Sequence, residues 1–161
     1  MKKVILTTLS FCLMAIIISS CASKNAASTN YKVSKGTISN TWTVNNVSLE
    51  GFPAGYQIKN AFDMAPYQNF TGSIWKLYGG NSGIITLSNG TTQNIYWSLI
   101  NNGTNPIFQF KKVDDGEKAR EVTDGYQLNI DAASKDALTV SSPFTLPNGN
   151  TARIVYNLSA Q

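Results

Sequence analysis

The chain has 161 residues, the length of one ordinary domain rather than several. Only 14% of its side chains are charged, while β-formers, Asn, Ser, Thr and Gly are plentiful, which suits a globular β protein and argues against intrinsic disorder. The formal charge of +4 includes Lys2 and Lys3 in a leader; without them 11 basic side chains face 9 acidic ones. No basic stripe remains, since Lys111 and Lys112 alternate across a strand and Arg120 neighbours Glu121, so the electrostatic footprint of a nucleic-acid binder is missing.

Residues 1–3 form a short basic head and residues 4–18 an apolar run. That run has the length of a signal peptide and is too short and too early for a spanning helix. Ile18-Ser19-Ser20-Cys21 follows, an aliphatic residue and two small ones before a cysteine, and this resembles a bacterial lipobox. The resemblance implies a lipoprotein signal peptide over residues 1–20. It also implies a mature chain whose Cys21 carries diacylglycerol on sulfur and a fatty acyl chain such as palmitate on its amine. Several acyl chains exceed the two signals that stable anchoring needs. An ordinary signal peptide with a chance cysteine is the plainer alternative. Cys12 leaves with the leader, so no disulfide can form within the mature domain. Ala22, where Asp would favour retention at the inner membrane, resembles an outer-membrane sorting signal. The absence of acidic residues just behind Cys21 points to the periplasmic face. Residues 21–35 read as a disordered tether of small and polar residues.

The first strand falls in residues 37–51, where Trp42 and Val44 share a face. Val47 and Leu49 fall on the opposite parity, which predicts a bulge near Asn45-Asn46. Residues 52–71 are less regular. A short helix is expected over 60–65, ended by Pro66, and this segment is the candidate lid or plug over one end of the fold. A meander of four alternating runs occupies residues 72–112, with Trp75 and Leu77, then Ile95, Trp97 and Leu99, then Phe108 and Phe110 on common faces. Its joints, GGNSG, SNGTTQ and NNGTNP, supply the positive φ of tight hairpins and so make antiparallel neighbours. Residues 114–124 form a charged, exposed loop. Three more strands follow, with Tyr126, Leu128 and Ile130, then Leu138 and Val140, then Ile154, Tyr156 and Leu158 inward. Eight evenly spaced strands predict a sandwich or an up-and-down barrel.

The order of these pieces resembles the lipocalin-like lipoproteins of Gram-negative bacteria, in the lipocalin family. The most specific are GSIWK at 72–76, YWS at 96–98 and FQFK at 108–111, and the likeness spans residues 36–158. Asn40-Thr41-Trp42 stands where lipocalins usually carry Gly-x-Trp. The resemblance implies an all-β, eight-stranded antiparallel barrel over residues 36–161, with a short helix or loop segment between the first two strands. It implies a cavity for a small hydrophobic ligand, and a basic residue near the last strand, Arg153, packed across Trp42.

The sequence contains no His, so neither a Ser-His-Asp unit nor a histidine metal site can be built, and an enzyme is disfavoured. DDGE at 114–117 lacks the alternating oxygen ligands of a calcium loop and reads as a solvated turn. The acids fall in turns rather than pairing in a cleft, and the Gly runs lack the Lys-Ser/Thr of a phosphate loop. No cofactor is implied. Trp42, Trp75, Trp97, Phe108, Phe110, Tyr126 and Tyr156 either line an apolar cavity or simply fill the barrel. Two functions follow. One is a membrane-anchored module holding a small hydrophobic ligand. The other is an envelope structural protein with a solid barrel that meets a protein partner through residues 52–71 and 114–124.

Overall fold

The computed structural model describes residues 32–101, 105–114, 116–117, 119–120, 122 and 124–161. The expected signal peptide, Cys21 and most of the expected tether lie outside the described residues, as do parts of the loop at 114–124.

Eight antiparallel strands close into a barrel in chain order: β1 (Thr41–Glu50), β2 (Ile74–Leu77), β3 (Ser82–Thr86), β4 (Thr92–Ile100), β5 (Ile107–Lys112), β6 (Tyr126–Ala133), β7 (Ala137–Thr145) and β8 (Thr151–Ala160). The barrel, rather than the sandwich, is therefore the architecture. Closure runs through a long β1–β8 ladder from Trp42↔Ala160 to Glu50↔Arg153, which leaves no edge strand open to pairing. The β3–β4 and β7–β8 turns use one device. Asn89 and Asn148 each accept from the backbone N–H two residues on, and Gly90 and Gly149 take φ of 87° and 81°, which a side chain would strain.

The two-residue alternation puts the apolar set inside. Trp75 and Leu77, Ile95 and Trp97, Phe108 and Phe110, Leu128 and Ile130, Leu138 and Val140, and Ile154, Tyr156 and Leu158 are all buried. Leu99 is only partly buried, packed against the edge of the core. The register of β1 shifts between Val44 and Asn46, so Val47 and Leu49 return to the inner face opposite Tyr156 and Ile154. That is the bulge the parity change predicts.

Each end of the barrel is covered by a connecting segment. At one end α1 (Lys35–Ile38) precedes β1; Ser34 Oγ accepts from Thr37 N–H, and Ile38 is fully buried. The expected tether therefore ends earlier than residue 35. Val33 is 5% exposed, its N–H donates to Asn101 Oδ1 at 3.2 Å, and its carbonyl accepts from Asn101 Nδ2 at 3.1 Å. Burial of one aliphatic side chain and a two-way amide pair hold the segment to the end of β4.

The other end is crossed by residues 51–73. The helix expected over 60–65 is not there. Ala61 and Ala65 instead form an isolated antiparallel bridge around a tight turn, with Phe62 and Asp63 both at positive φ (55° and 48°). Pro66 does not end a helix; it precedes a short 3-10 turn, Tyr67–Phe70. Six residues without an amphipathic repeat hold a helix weakly, and the turn buries the Phe62 ring in the barrel mouth.

Candidate functional site: the plugged mouth of the barrel

Six of the seven aromatic candidates are fully buried: Trp42, Trp75, Trp97, Phe108, Phe110 and Tyr156. Most pack on one another. Trp97 stacks on Phe108 (5.7 Å between centroids), which meets Trp75 (6.4 Å) and Phe110 (5.8 Å), and Trp75 meets Tyr156 (5.9 Å). These spacings are those of favourable ring pairs. Tyr126, half-buried, extends the series to the rim through Phe110 at 5.2 Å. Trp42 lies in register opposite Trp75, and its indole N–H donates to the Ile38 carbonyl at 2.9 Å.

The alternation of the strands does not reveal Phe62, because it sits on no strand. It lies at the centre of the mouth, stacked on Tyr156 (5.5 Å) and edge-on to Phe70 (5.4 Å), Phe110 (5.2 Å), Tyr126 (5.4 Å) and Trp75 (6.5 Å). The segment singled out as a lid or plug thus places one ring among five others. A bulky residue in the left-handed region is a backbone outlier, with a cost of order 1–3 kcal/mol. The turn is held from outside as well. The Tyr126 hydroxyl donates to Asp63 Oδ2 at 2.7 Å, and Lys112 Nζ donates to the Asp63 carbonyl at 3.3 Å. Lys112 sits in register opposite Ile95, on the inner parity of β5, and its ammonium lies 5.8 Å from the Tyr126 ring centroid. Burial first, then the hydrogen bond and negative charge of Asp63, push the Tyr126 phenol up to about 12.

Beside the plug is a cavity of about 250 Å³, walled by the 60–63 turn and by Tyr126, Phe144, Ile154 and Tyr156. Tyr156 is 0% exposed, and its hydroxyl has no hydrogen-bond partner among the described residues. Burial holds that phenol neutral, with its pKa raised well above the ordinary value. Larger concavities lie outside the barrel. One of about 670 Å³ runs between the outward side chains of β3 and β4, Ile84 and Tyr96 among them, and the loop after β5; another of about 380 Å³ surrounds Arg153.

Arg153 does not pack across Trp42. It lies on the outward parity of β8, where Nε and Nη2 are each 2.7 Å from Glu50 Oε2 and Nη1 is 3.2 Å from Asp131 Oδ2. Trp42 sits at the far end of the same ladder, opposite Ala160. The basic residue over an indole is Lys35, whose ammonium is 5.6 Å from the Trp97 ring centroid and donates to Asn81 Oδ1. In the loop after β5, Glu117 Oε2 accepts from the Asp114 N–H at 3.3 Å, the geometry of a local turn. Among the described residues no three His, Cys, Asp or Glu side chains group as a metal site, and no helix is long and apolar enough to cross a membrane.

Comparison with known protein families, with curated proteins and with solved structures found no match to this chain.

Proposed function

We propose that this protein is a lipocalin-like lipoprotein, anchored through Cys21 to the outer membrane on its periplasmic face, whose barrel holds a small hydrophobic ligand. The observation that carries this reading is the half-enclosed space of about 250 Å³ at one barrel mouth, between a strained turn and the aromatic and aliphatic walls of β6–β8. Small-molecule sites have this character, concave and apolar with a few polar groups at the edge, although they usually exceed about 300 Å³. The ligand is therefore small, or the turn moves to admit it. The first described residue, Lys32, lies at the α1 end, so an anchor on Cys21 joins the barrel at the end away from the mouth. Native mass spectrometry of the purified, delipidated protein tests the reading. An apolar compound that copurifies or titrates onto the barrel supports it, and failure of every apolar probe to bind overturns it. Labelling with a palmitate analogue, lost in Cys21→Ala, tests the anchor.

A second reading has its own support. The indole and phenyl rings of the interior pack on one another, and a concavity of about 670 Å³ faces outward over β3–β4. An envelope structural protein with a solid barrel would use that face and residues 52–71. Crosslinking in intact cells would then return one discrete protein partner, and recovery of none counts against it.

A further inference from the structure

We propose that Phe62-Asp63 occupies the ligand's own seat, so that the 61–65 turn is a displaceable internal mimic and the ligand is a small carboxylate with an apolar body about the size of a phenyl ring. The assignment rests on ligand binding at the mouth, as above. Three groups of contacts argue it. The Phe62 ring fills the centre of the aromatic cluster, where it belongs to no strand and contributes nothing to the barrel ladder. Next to it the Asp63 carboxylate takes the Tyr126 hydroxyl, and the Asp63 carbonyl takes the Lys112 ammonium. The turn thus presents an apolar ring, a carboxylate oxygen that meets a hydroxyl and a backbone carbonyl oxygen that meets a cation at the rim, two donors that the two oxygens of one aryl or short-chain acyl carboxylate would take together. The cation and the hydroxyl belong to the barrel wall and stay when the turn leaves.

The closed turn is held by those contacts against a strained backbone. Two consecutive non-glycine residues sit in the left-handed region, which disfavours the closed form. Its backbone is closed by the Ala61–Ala65 pair, whose Ala61 N–H donates at 2.7 Å, and by the Met64 N–H donating to the Ala61 carbonyl at 3.1 Å. Asp63 itself is exposed. Release would merge the adjoining cavity with the space of the ring, which brings the site toward ordinary ligand size. A ligand that binds only the open form sees its affinity reduced by the fraction of molecules that are closed.

The test titrates 3-phenylpropionate and its neutral amide into the protein by calorimetry, with hydrogen exchange read at the Ala61 and Met64 amides. Wild type should bind the carboxylate in preference to the amide, and both amides should lose protection at saturation. Asp63→Ala makes no internal cavity and removes the competing carboxylate, so it should tighten binding about tenfold. Tyr126→Phe, which removes one latch and one ligand contact together, should change affinity less than either effect alone. Lys112→Met should abolish the preference for the carboxylate over the amide. The inference is overturned if Asp63→Ala leaves affinity unchanged, if the Ala61 and Met64 amides stay protected in the saturated complex, or if the amide binds as well as the carboxylate. Any of those results with a copurified apolar ligand still present leaves the binding function standing, whereas no binding of any apolar compound removes both.

Discussion

Tyr156→Phe should make this protein more stable. The side chain is fully buried, and its hydroxyl has no partner among the described residues. A buried polar group left without a hydrogen bond costs roughly 1–3 kcal/mol, because water is lost and nothing replaces it. Phenylalanine keeps the ring and its contacts with Phe62, Phe70 and Trp75 at 5.5–5.9 Å. What is lost is the dispersion of one oxygen, a few contacts worth about 0.1–0.2 kcal/mol each. The balance is a gain of about 1 kcal/mol, or about 4 °C in Tm for a domain of this size. Urea denaturation followed by Trp fluorescence measures it, as a higher midpoint with an unchanged m value. A loss of about 1 kcal/mol or more would refute the reasoning, since it would mean that the hydroxyl is hydrogen-bonded in solution. Ser141→Ala, which removes a second buried hydroxyl without a partner, should likewise not destabilise.

Tyr126 should behave in the opposite way. Its folded pKa is raised to about 12 from an ordinary 10.0, so its contribution is fully present below pH 10 and drains away as pH rises from about 10 to about 12. Tyr126→Phe should lower stability at neutral pH and flatten that alkaline slope, as denaturation midpoints between pH 9 and 12 would record. Arg153→Ala opens an exposed ion-pair cluster with Glu50 and Asp131, so it should cost no more than about 1 kcal/mol, shrink further in high salt, and leave indole emission unchanged. Lys35→Ala should cost about 0.5–1 kcal/mol and shift indole emission, because its ammonium lies over Trp97. Gly125→Ala should be severely destabilising, because its methyl would stand 2.3 Å from the Phe110 carbonyl oxygen and backbone must move; thermal melts should show the largest loss among these variants.

Strands were legible because a sheet reports itself locally. Trp75 and Leu77, or Phe108 and Phe110, lie two residues apart, and that spacing already assigns them a common face whatever the strands pair with. The change of parity between Val44 and Val47 announced the β1 bulge for the same reason. Closure into a barrel needed the β1–β8 ladder, a contact between chain ends that no local pattern carries. The mouth was least legible. The stretch over 60–65 has no periodicity, and Phe62 enters the core because five rings from other elements surround the place where it lands. The partner of Arg153 was hidden similarly. Its outward parity could be counted from Ile154, but Glu50 comes opposite it only through the register of the closing ladder. Side-chain direction along a strand is a property of neighbouring residues, whereas a turn without periodicity takes its shape from whatever distant surfaces it must fill. The rings and the alternation were therefore written in the chain, and the seat that Phe62 holds among them was decided only when the barrel closed.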